Sequence, residues 1–142
     1  MRDAAAVVKG TRSLHRGSYV LIIDLAQDTT LEIGSLGSCS FKAGLYAYVG
    51  SAQSGLESRV GRHFSKKKKR HWHIDYLLEV AEPISAFLVE GPDNECEING
   101  TIDRFNGSEV VCKGFGSSDC DCPAHLHRIE ESVLPRLLNE LS

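Results

Sequence analysis

Between Gly44 and Phe64 the hydrophobic period of the chain switches from two to about 3.6. In GLYAYVGSA, Leu45, Ala47 and Val49 fall on one face and Tyr46 and Tyr48 on the other, the alternation of a strand. In LESRVGRHF, which follows, Leu56, Val60 and Phe64 recur at helical spacing and line one face. Ser54 stands as N-cap with Glu57 three residues on, the pattern of a helix start. Arg59, Arg62 and His63 fall on or near the opposite side. Gly61 costs this helix about 1 kcal/mol relative to alanine, a cost that close backbone packing would justify.

The flanking segments extend this frame. SYVLIIDL (Ser18 to Leu25) is a β-branched apolar run and reads as a strand. TLEIGSL and SCSFKAG read as two further short strands around a glycine-rich bend. WHIDYLLEVAE reads as a second helix with Ile74, Leu77 and Leu78 inward, stopped by Pro83; ISAFLVEG reads as a buried strand. DNECEINGTIDRF reads as a short third helix capped by Asp93 or Asn94. CKGFGSSDCDCP is a Gly/Ser loop, and HLHRIEESVLPRLLNEL an amphipathic helix bent or broken near Pro135. The expected fold class is α+β: a small, mostly antiparallel sheet flanked by helices, with extra strands between the two tyrosine segments and a C-terminal helix. One domain spans 1–142, its core about 15–105, with the Cys/Gly loop and helix in 106–142.

The chain has 142 residues, 42% hydrophobic and 25% charged, within the ordinary globular range. No apolar run approaches the roughly 20 residues of a membrane span. MRDAAAVVKGTR carries an early acid and no long apolar stretch, a poor signal peptide, which points to a cytoplasmic protein with no membrane partner.

Net charge is −3, which excludes a chain that binds polyanions by bulk charge. The charge is uneven, however: Lys and Arg occupy positions 59, 62, 66–69 and 70 with no acid among them. Lys66, Lys67, Lys68 and Lys69 alone would be a solvated loop. Bracketed by Arg59, Arg62, His63, Arg70, His71 and His73, they form a candidate cationic wall suited to a sugar-phosphate backbone rather than to base edges.

Tyr46 and Tyr48 read equally well as an amphipathic pair at a sheet surface. A phenol beside a guanidinium would have its pKa lowered from about 10, and could then take a proton from water or hold it in line. Five cysteines, Cys39, Cys96, Cys112, Cys120 and Cys122, read as free thiols or metal ligands rather than a disulfide framework. CDCPAHLH places Cys120, Cys122, His125 and His127 close together, a structural zinc site weakened by the lack of a second Cys or His pair.

YVGSA…LESRVGRHF resembles the second half of the GIY-YIG nuclease signature, and GSYVLII the first half, with Ser18 where that signature has isoleucine. The resemblance implies a metal-dependent endonuclease acting on nucleic acid, DNA rather than RNA. It implies Tyr19, Tyr48, Arg59, His63 and His73 (or His71) as catalytic residues, and Glu95, with Glu97 as alternative, as ligand of a single Mg²⁺ or Mn²⁺. Arg62, Lys66, Lys67, Lys68, Lys69, Arg70 and His71 would hold the nucleic acid. The chemistry is coherent on its own terms, since phosphodiester hydrolysis needs a neutralised non-bridging oxygen and a positioned water. The alternative is a non-catalytic nucleic-acid-binding module that keeps the basic 59–73 surface.

Overall fold

A computed structural model describes residues 5–9, 16–66, 68–92, 94–118 and 120–141, the first of these segments as backbone alone. Its elements are β1 (Ala5–Lys9), β2 (Gly17–Leu25), β3 (Thr29–Ile33), β4 (Gly37–Phe41), β5 (Gly44–Ala52), α1 (Leu56–Phe64), α2 (His73–Leu77), β6 (Glu82–Glu90), α3 (Glu95–Asp103), β7 (Ser108–Val110), β8 (Leu126–Ile129) and α4 (Val133–Leu141). Six strands form one sheet in the order β1-β6-β2-β5-β8-β7, and β3 and β4 form a separate hairpin. Every pairing is antiparallel except β1 with β6. The mixed α+β class and the extra strands between Tyr19 and Tyr48 are as expected.

β2 is central and buried on both faces. Tyr19, Leu21, Ile23 and Leu25 join a core with Tyr46 and Tyr48 of β5, Leu56 and Val60 of α1, and Ile74 and Leu77 of α2. Val20 and Ile22 point the other way, into a core with Ala47, Val49, Ile98 and Ile102 of α3, and Val133 and Leu137 of α4. The period of two thus sorts one strand into two cores, and the tyrosine face of β5 meets the cationic helix.

Several sequence readings are corrected. α1 is capped at Gly55, whose φ of 65° suits glycine, and Ser54 makes no cap bond. His63 is not on the polar side: it is 1% exposed. Positions 56, 60 and 63 form a helical stripe that contains it, while Phe64 is only half-buried. α2 ends at Leu77, and Pro83 stops no helix; it lies within β6, where the register against β2 shifts beside Ile23. Within the segment 106–142, β8 pairs directly with β5. LHRI is therefore a strand, and the last helix is unbroken: Pro135 sits in the first turn of α4, where no intrahelical donor is missed.

Cys39 of β4 and Cys112 after β7 form a disulfide, so the reading of five free thiols or ligands fails for these two. The bond ties the β3–β4 hairpin to the segment after β7, joining residues 73 apart in sequence. Asp93, Lys67 and most of the N-terminal segment lie outside the described residues.

Candidate functional site

At the sheet end nearest α1, the Tyr19 hydroxyl shares a 2.6 Å hydrogen bond with His63 Nε2. The Tyr48 ring lies 6.3 Å from that of Tyr19 and 6.1 Å from that of His63. Gly50, opposite Tyr19 in the β2–β5 register, makes this possible, since a Cβ there would fall 2.4 Å from the Tyr19 hydroxyl. Burial pushes both phenols upward in pKa, the Arg59 charge opposing it only in part. The expected lowering by guanidinium is thereby overturned, because desolvation of a phenolate outweighs one nearby cation. Burial also pulls His63 down to about 4, leaving a neutral imidazole whose Nδ1 has no hydrogen-bond partner among the described residues.

Above this floor runs a polar chain. Arg59 Nη1 donates to the Ser51 carbonyl at 2.9 Å, and its guanidinium lies 4.5 Å from the centre of the Trp72 ring. Ser51 Oγ donates to Glu95 Oε1 at 2.9 Å, and Glu95 Oε2 is 2.8 Å from His125 Nδ1. Burial works against charge on His125, but the Glu95 carboxylate and Cys122 hold the imidazole up at about 9. Tyr19, Tyr48, Arg59, His63 and Glu95, dispersed in sequence, are therefore neighbours, with Arg59 and Glu95 half-buried at the mouth. Glu97 is exposed, and among the described residues its side chain makes no bond into this chain.

His73 stands one ring away, beyond Phe115, and its Nδ1 accepts the Gly116 N–H at 2.9 Å. It secures the glycine-rich loop rather than joining the tyrosines. His71 is exposed and stacks edge-on to Trp72.

The cationic wall is partly neutralised. Arg62 forms a two-pronged pair with Asp75 at 2.9 and 3.0 Å, Arg70 another with Glu79 at 2.7 and 2.8 Å, and Lys66 meets Glu82 at 2.9 Å. Lys68 turns inward to the Ser65 carbonyl, and Lys69 is exposed. The acids come from α2, the turn after it and β6, which no scan of 59–70 alone would include.

A second constellation adjoins the first. The ligand atoms of Cys96, Cys120, Cys122 and His125 all lie within 4.8 Å of one another. His127, read with them from CDCPAHLH, instead meets Asp103 at 3.0 Å. It shares the β8 face with Ile129, toward α3 and α4, whereas His125 lies just before that strand. Cys96 in the first turn of α3 supplies what a second pair would have. Ser51, Trp72 and Asp75 also went unread; only Trp72, between His71 and His73, stood out in sequence.

A cavity of 460 Å³ lies elsewhere, between the β3–β4 hairpin and β7–β8, lined by Asp28, Thr30, Lys42, Glu109 and Arg128 among others. It gathers none of the tyrosines or histidines. Among the described residues, no helix is long and apolar enough to cross a membrane.

Residues 18–141 match the family described as a domain of unknown function, DUF123, and the chain belongs to that family. No curated protein and no solved structure matches it.

Proposed function

Membership of DUF123 carries no activity with it, and from the residues we propose that the chain binds nucleic-acid backbone and hydrolyses phosphodiester bonds at the Arg59–Glu95 mouth. The observation that carries this reading is the hydrogen-bonded chain Arg59–Ser51–Glu95, whose charges act on the buried Tyr19 and Tyr48 hydroxyls beside His63. Among the described residues Arg59 joins no carboxylate, so its remaining N–H groups are available to a non-bridging phosphate oxygen. Trp72 and the Ser51 carbonyl hold the guanidinium in one orientation. Both phenols stay protonated, and each serves as a hydrogen-bond donor rather than as a phenolate base. Neutral His63 orients Tyr19.

A Mg²⁺ or Mn²⁺ ion fits Glu95, a half-buried carboxylate beside Ser51 and His125, because such ions retain most of their waters and need few carboxylates. When bound, it would supply positive charge to the phosphate and acidify a water. DNA is the preferred substrate class, in line with the GIY-YIG resemblance. The binding-module reading has its own support: Tyr19 is 2% and Tyr48 7% exposed, deep for groups that must reach a reacting phosphate.

The test is single-turnover cleavage of duplex, nicked and branched DNA and of RNA, with Mg²⁺ or Mn²⁺. Arg59→Ala is expected to lose about a hundredfold to a thousandfold in rate with its melting temperature retained. Arg59→Lys is expected to recover little, since an ammonium cannot reproduce a two-pronged grip. Wild-type protein that binds these substrates but cleaves none would leave the binding-module reading in place.

A further inference from the structure

The geometry points to one zinc ion held by Cys96, Cys120, Cys122 and His125, a site independent of the hydrolytic reading above. A tetrahedral zinc sits about 2.3 Å from sulfur and about 2.0 Å from nitrogen, which sets each sulfur–nitrogen pair about 3.5 Å apart. His125 Nε2 lies 3.3 Å from Cys120 Sγ and 3.9 Å from Cys96 Sγ, on either side of that value. All four ligand atoms fall within one 4.8 Å cluster.

The surroundings fit a metal better than they fit three ordinary thiols. His125 Nδ1 faces Glu95 Oε2 at 2.8 Å and the Val49 carbonyl at 3.2 Å, so its outer nitrogen is occupied and Nε2 is the one turned to the sulfurs. This is how ligating histidines are oriented in metal sites. Cys96 lies in the first turn of α3, whose N-terminal end carries partial positive charge. A three-thiolate zinc carries net negative charge, which that helix end offsets. Among the described residues from Lys113 to His125 there is no helix or strand, and the apolar side chains that anchor the segment in the core are Phe115 and the small Ala124. Joining Cys120, Cys122 and His125 to Cys96 would fasten it to α3. Cys96 is exposed and the other two sulfurs partly so, giving an ion a way in. Soft thiolates select zinc over magnesium or calcium. On loading, the thiol protons and any proton on Nε2 leave to solvent as four ligand bonds form.

The test is metal analysis of the full chain purified without chelator, then cobalt(II) substitution. One zinc per chain, and a cobalt spectrum with thiolate charge transfer and intense tetrahedral bands, are expected. Cys120→Ser/Cys122→Ser should lose the ion, while Cys39→Ser, outside the cluster, should keep it. Because the double variant could fail to fold, the wild type is also probed directly: zinc should protect three thiols from maleimide, and chelation should expose them. A wild type that stays metal-free after incubation with zinc would overturn the proposal. So would zinc retained by the double variant, an octahedral cobalt spectrum, or a disulfide within the cluster.

Discussion

Tyr19 and His63 stand 44 residues apart in sequence, yet the Tyr19 hydroxyl lies 2.6 Å from His63 Nε2 inside the core. The pair links the central strand to α1, and it makes His63 a pH-sensitive element of stability. Burial, opposed by Asp75 and reinforced by Arg62, Lys68 and Arg59, lowers the imidazole from 6.5 to about 4. The unfolded chain therefore takes up this proton first as pH falls. The contribution is full above about 6.5, is lost between there and about 4, and is constant below. Its size is on the order of 3 kcal/mol. His63→Gln, which keeps an acceptor for Tyr19, is expected to flatten the acid limb of denaturant-derived stability over that window. His73 and His127 are shifted the same way and leave a residual slope, so the difference between the two proteins is the measurement. An unchanged slope would show that His63 is already charged or accessible in the native state.

Gly50→Ala tests how closely Tyr19 must approach β5. The added Cβ would sit 2.4 Å from both Cζ and the hydroxyl of Tyr19, and neither the buried ring nor the central strand can yield cheaply. Overpacking of this kind costs about 1–3 kcal/mol. Thermal melting should show that loss, and imidazole NMR should show His63 freed from its short bond. A variant as stable as the wild type, with an unshifted His63 signal, would mean the ring moves without cost.

The legible parts of the fold were the local ones. The switch of period between Gly44 and Phe64 located β5 and α1, because strand alternation and helical stripe are written in adjacent residues. β8 was not legible, because its four residues run into a helical pattern and only pairing with β5 makes them a strand. His63 was misplaced for a related reason: the stripe through Leu56 and Val60 can be extended to 63 or 64, and the tyrosines across the interface decide which. The Cys39–Cys112 pair and the turning of Cys96 toward Cys120 are tertiary facts, with no local signal beyond the odd cysteine count. Tyr19, Tyr48, Arg59 and Glu95 were named from motif wording, and the strand order then brought them together.

Asp75 organises the turn on which Arg62 and Trp72 rest. It is 1% exposed, accepts both prongs of Arg62, and also accepts the N–H groups of His71 and Trp72 at 2.7 and 2.9 Å. Asp75→Ala removes the partner of a half-buried guanidinium and strands two backbone donors, and should cost about 3–5 kcal/mol. Asp75→Asn keeps an acceptor and is expected to cost less. Chemical denaturation of the two variants should preserve that order; equal losses would show that charge, not hydrogen bonding, dominates.

The remaining prediction separates charge that is free from charge already paired. Lys69 is exposed, whereas Lys66 and Arg70 are engaged by Glu82 and Glu79. If the 59–73 surface binds a phosphate backbone, Lys69→Ser should flatten the plot of log K against log salt by about 0.9 for duplex DNA, equally for unrelated sequences. Glu79→Gln should act in the opposite direction, because it releases the Arg70 guanidinium from its two-pronged pair and adds a cation to the surface. That steepening is what a scan of the basic run by itself would not foresee. Fluorescence anisotropy over a salt series, at fixed pH, reads both slopes. Loss of affinity on Lys69→Ser with an unchanged slope would mean that the lysine shapes the loop rather than meeting phosphate. A Glu79→Gln slope equal to that of the wild type would place Arg70 outside the bound footprint.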